Sequence, residues 1–158
     1  MKPFLPFLLT LSVLFNSAYL ASAQADSTKA VVEGNTAFAL DLYSPLSSAP
    51  GNLFFSPYSI STCLAMTYAG ARGNTEAQMS RVLHFEQGQS ELHASFRSLQ
   101  KQLDVAAKQQ GIQLNIANAL WAQKGAPFLP AFMKIAKDDY QANINQADFK
   151  STEYRINE

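Results

Sequence analysis

Three side chains of the types used in hydrolysis occur in the sequence: the hydroxyl of Ser56, the imidazole of His84 and the carboxylate of Asp104. A nucleophile of this kind needs a base within hydrogen-bond reach and a third group to orient that base. No serine stands in a G-x-S-x-G elbow, the sharp strand-to-helix turn that exposes a nucleophile. Ser56 instead precedes a proline and an apolar run, which is the position of a helix N-cap. The glycine-rich loop Gly70-Ala71-Arg72-Gly73-Asn74-Thr75 lacks the lysine and the preceding strand of a phosphate-binding loop, and reads as a turn with a helix cap. His84 and His93 are too few for a metal site, and Asp138 and Asp139 fall on different faces of a helix. No catalytic residue, metal site or cofactor is assigned, and the chain is not expected to be an enzyme.

The single cysteine, Cys63, lies within an apolar helical run and is expected in the core, where cysteine acts as a small hydrophobe. A cationic stripe, His93, Arg97, Lys101 and Lys108, recurs along one helix. Diluted by Glu91 and Asp104 it reads as a solvated face, with polyanion binding at His93, Arg97 and Lys101 the weaker alternative. The whole sequence has 12 basic and 12 acidic residues, so it lacks the basic surplus of a nucleic-acid-binding chain.

The elements that must position these residues centre on Gly51 to Met79. Leu53-Phe54-Phe55 has the length and composition of a buried strand. Ser56-Pro57 then starts a helix that is apolar or small from Tyr58 to Ala69, and is expected to be buried all round. Gly70 and Gly73 supply a turn, and Thr75 with Gln78 has the spacing of a capping box. Before this centre, Gln24 to Thr28 is polar and expected to be loose, and a helical pattern runs from Ala30 through Val31, Val32, Asn35, Phe38, Ala39, Leu42 and Tyr43. Pro45 to Gly51 reads as a surface loop. After it, Met79, Val82 and Leu83 are expected to face inward. A longer helix from Ser90 or Glu91 to Ala107 carries the stripe Leu92, Phe96, Leu99, Leu103 and Ala106. Ile112 to Ala122 alternates as a strand, Gly125 turns the chain, Pro130 opens a helix faced by Phe132, Met133, Ala136 and Tyr140, and Ala142 to Phe149 is a short polar strand. Ser151 or Thr152 has the place of a further N-cap.

The stretch N-x-FFSP-x-SI, followed by LAM and GA-x-GNT-x-x-QM, is similar to the amino-terminal signature of the serpins, the serine protease inhibitors. N-x-x-FA-x-x-LY at Asn35 to Tyr43 resembles their helix A, NIANALW at Asn115 to Trp121 their strand 2 of sheet A, and Ala147-Asp148-Phe149 the end of strand 1. The resemblance implies an α+β architecture made of helices A to E, strands 1 and 2 of sheet A and the start of helix F. It is the incomplete amino-terminal portion of the fold, spanning 24–158. It further implies suicide-substrate inhibition of serine or cysteine endopeptidases by a reactive loop that inserts into sheet A as a new strand. Ser56 and Ser59 match the family's shutter serines, beneath the point where that sheet parts. Asn118 and Trp121 lie on a strand that shifts with it. No reactive-loop residue is present in the sequence, so these residues are expected not to inhibit alone. A secreted binding or structural module derived from a serpin is the alternative.

Residues 1–23 read as a bacterial-type signal peptide: Lys2, an apolar run from Phe4 to Phe15, and the cleavage site Ala21-Ser22-Ala23. An uncleaved anchor is the alternative, and the run is short for a bilayer span of ~20 residues. The mature chain is expected to begin at Gln24 and to be secreted, to the extracellular space or periplasm.

Overall fold

The computed structural model describes residues 27–109, 111 and 113–150. Among the described residues there are five helices and a two-stranded parallel sheet: α1 over 27–46, α2 Pro57–Tyr68, α3 Gly73–Val82, α4 Gln89–Ala106, β1 Ala119–Gln123, α5 Pro130–Tyr140 and β2 Asn143–Ala147. This is the α+β architecture expected, helix for helix. The expected signal segment and the expected start of a sixth helix fall outside the described residues.

α2 and α5 are bounded by chemistry legible in the chain. Ser56 caps α2, and Pro57 occupies the first helical position, where no N–H is needed. Pro130 opens α5, and Gln141 closes it in the left-handed region at φ 52°. The stripe on α4 buries Leu92 and Phe96 and half-buries Leu99 and Leu103. Tilted and edge-on aromatic contacts run through the core: Tyr68 to Phe85 at 5.3 Å, Phe85 to Phe96 at 6.0 Å, and Phe96 to Tyr140 at 5.5 Å between ring centroids. They join α2, α4 and α5 around one centre, and Val31 and Phe38 bring α1 onto it.

β1 and β2 pair in parallel register from Ala119 with Asn143 to Gln123 with Ala147, and α5 provides the crossover such a pair requires. Along 116–122 the even positions face inward, Ala122 being fully buried, and the odd positions face out, as the alternation predicts.

Several expectations are corrected. Leu53-Phe54-Phe55 forms no strand, and Phe54 is 97% exposed. An apolar triplet becomes a strand only where a neighbour offers a ladder, and no described strand lies beside it. The strand expected over Ile112 to Ala122 pairs only at Ala119–Gln123, for the same reason: β2 is five residues long. α2 is not buried all round, since Ser59, Cys63 and Thr67, spaced four apart, share an exposed face. Cys63 is therefore an exposed thiol and not a core residue. The capping box does not form: α3 starts at Gly73, two residues earlier than Thr75, behind an N-cap at Arg72 that makes no side-chain cap bond. Val82 is 63% exposed, because the turn after α3 directs Leu83 and Phe85 inward instead. Thr28 is helical and buried, not loose.

Candidate functional site

Ser56 holds the head of α2 in extended backbone geometry, φ −109° and ψ 102°. Its Oγ accepts the backbone N–H of Ser59 at 3.3 Å and the hydroxyl of Ser59 at 2.9 Å. One hydroxyl oxygen thus takes two donors and keeps its own proton to give away. Both residues are exposed. They border a cavity of about 740 Å³ bounded by α1, the start of α2, α4 and the extended segment 114–117. Its walls are mainly apolar, with Val32, Leu99, Leu103 and Ile116 among them, and Asn35 stands beside the serines. The buried Oδ1 of Asn35 has no hydrogen-bond partner among the described residues.

Tyr58, two residues after the cap, is tied into a polar chain. Burial raises its pKa, so the phenol stays protonated and donates to Gln100 Oε1 at 3.1 Å. Gln100 Nε2 donates to Asp104 Oδ1 at 3.0 Å, and Gln141 Nε2 reaches Asp104 Oδ2 at 3.3 Å. α2, α4 and the end of α5 are linked in sequence by these bonds. The hydroxyl pair is small and exposed, and it borders the cavity.

The three residue types considered for hydrolysis do not meet. His84, on the turn after α3 at φ 54°, holds Asp41 of α1 at 2.7 Å. Asp104 is engaged by the two glutamines, and the Ser56 hydroxyl is engaged by Ser59. The cationic stripe is also broken up. His93 is 2% exposed, so it belongs to the core and not to a solvated face. Arg97 Nε lies 3.2 Å from Asp139 Oδ1, which leaves Lys101 as the exposed cation of the three without a described partner. The helix stripe Leu92–Phe96 was legible, but His93 adjoins it, and a position beside a stripe is ambiguous until a neighbour is placed.

Sequence reasoning missed the contact that His93 makes. Its Nδ1 lies 2.6 Å from the hydroxyl of Tyr140, itself 2% exposed, with the rings 5.6 Å apart. The available signal was the tyrosine: a phenol expected on a buried face must find a hydrogen-bond partner.

The profile of the family described as Serpin (serine protease inhibitor) matches residues 33–158. This chain belongs to the serpin family. Among curated serpins, the leukocyte elastase inhibitor of Xenopus tropicalis is 42% identical over 118 residues, which cover 73% of this chain and 31% of that protein. The chain thus spans about a third of the length of this relative. Among solved serpin structures, cleaved kallistatin complexed with heparin matches with a TM-score of 0.72 at 28% identity, over 82% of this chain and 39% of that one. Emu (Dromaius novaehollandiae) ovalbumin matches at 0.69 and 26%, over 80% and 36%. The serpin fold assigns α1 to α5 to helices A to E, and β2 and β1 to strands 1 and 2 of the large sheet.

Proposed function

We propose that this chain is the sheet-opening hub of a secreted serpin that inhibits serine or cysteine endopeptidases. The observation that carries the reading is the Ser56–Ser59 hydroxyl pair. It caps a core helix and faces an open cavity beneath the segment that leads into β1. Small hydroxyls at such a point can exchange partners as strands part, while a larger side chain would fill the space. Ser56 and Ser59 act here as shutter residues and carry no chemistry of their own. The family match supports protease inhibition as the activity of a whole protein in which a reactive loop is cleaved and then added to the sheet as a strand.

These 158 residues hold no reactive loop and do not inhibit alone. Residues 1–23 are a bacterial-type signal peptide, so the exported form begins at Gln24. The test mixes the polypeptide with trypsin-, chymotrypsin- and papain-like endopeptidases, followed by denaturing gels. The 158 residues give no resistant complex, and a chain extended through a reactive loop gives one. A complex formed by the 158 residues alone would overturn the reading. An extended chain that is cleaved without complex formation selects the non-inhibitory secreted module instead.

A further inference from the structure

We propose that the buried His93–Tyr140 pair is an acid-sensitive latch that holds α4 against α5 and thereby secures the start of the β1–β2 ladder. Burial holds the Tyr140 phenol far above its ordinary pKa, so its hydroxyl stays protonated and donates to His93 Nδ1 in the Nε2–H tautomer of the imidazole. The imidazole proton then resides on Nε2, which has no partner among the described residues. A second proton can go only onto Nδ1, the atom that receives the Tyr140 hydroxyl. Protonation therefore ends the donation from Tyr140, whose hydroxyl must turn to accept Nδ1–H instead, and it places a cation in the aromatic core.

The surrounding groups do not offset this. From α5, Asp139 favours the cation but is shared with Arg97 of α4, and Asp138 is paired with Lys134. From the other side, α2 presents the ring of Tyr68 at 6.4 Å, and Arg72 beyond it opposes a positive charge. Desolvation is the largest effect, with the pull of Asp139 and the push of Arg72 following, and the result is a lowered pKa. A cavity of about 440 Å³ between α4 and α5, lined by His93, Ala94, Arg97, Ile135 and Asp139, gives solvent protons a route to the ring.

Tyr140 is the last residue of α5, and its position is read directly by the sheet. Its carbonyl accepts Asn118 Nδ2 at 2.9 Å, and the Asn118 carbonyl accepts the N–H of Asn143 at 2.9 Å. That bond lies beside the first register pair, Ala119 with Asn143. Because the folded pKa is lowered, the opened form binds the proton more tightly. The latch is closed above the ordinary histidine value of ~6.5 and opens progressively as pH falls below it. This inference needs the fold alone and is independent of the shutter reading.

The test is amide hydrogen exchange on the full chain at about pH 7.5 and about pH 5, corrected for intrinsic exchange. Protection over Ala119–Gln123 is expected to drop about tenfold on acidification. His84→Gln, at the exposed Asp41 pair, keeps that drop, and His93→Gln abolishes it. An unchanged wild type, or the same drop in His93→Gln, overturns the proposal. If His93→Gln does not fold, ring-nitrogen NMR of the wild type decides. His93 then titrates below its ordinary value with the Tyr140 ring signals shifting at the same midpoint. Titration at the ordinary value, or Tyr140 signals that ignore it, overturns the latch.

Discussion

Gly34 lies where α1 passes over the turn that follows α3. A Cβ at this position would meet the backbone oxygen of His84 at 2.4 Å, and a backbone atom cannot swing aside as a side chain could. In an open helix interior, glycine to alanine stabilises by roughly 1 kcal/mol. Here the overlap dominates, and Gly34→Ala is expected to destabilise by about 1–3 kcal/mol. A fall in the urea midpoint with an unchanged slope would register it; a midpoint that rises would refute the close approach. The His84 backbone at φ 54° and its bond to Asp41 belong to the same junction. Sequence alone shows a glycine in a helical pattern without showing what presses on it.

At the scale of elements, α2 shows which features of a chain are readable. Its cap was legible because serine followed by proline has a local chemical meaning. Its buried side was not, because Tyr58 to Ala69 is apolar or small on every face, and only a neighbour decides which face is covered. The structure turns Ala65, Met66 and Tyr68 inward and Cys63 outward. The folded protein is therefore expected to react with a thiol reagent at one equivalent per chain without denaturant. A thiol that reacts only after unfolding would return Cys63 to the core. The strands follow the same logic: alternation along 116–122 was local and correct, whereas the length of β1 depends on β2. The polar chain from Tyr58 through Gln100 to Asp104 joins residues on two helices, and periodicity has no term for such a network.

For the whole molecule, the balance of covered and uncovered apolar surface governs behaviour in solution. Phe54, Leu129, Leu40, Val105 and Trp121 are each more than half exposed, at 97%, 72%, 66%, 65% and 55%. Apolar side chains exposed in this number favour association. The 158-residue chain is expected to gain mass with concentration in sedimentation velocity, and a constant monomer mass into the high micromolar range would refute that. The parallel pairing of β1 with β2 has a further effect, on the order of events during synthesis. In a parallel ladder every pair closes the same length of chain, here a separation of 24 positions from Ala119 to Asn143. The entropy of that closure, on the order of 3 kcal/mol, is met once by the first pair, and the remaining pairs add none. β1, α5 and β2 are consecutive in the chain, so the unit is complete in sequence once Ala147 has left the ribosome. The base of the sheet can therefore close its ladder without a pairing partner from any later part of the chain.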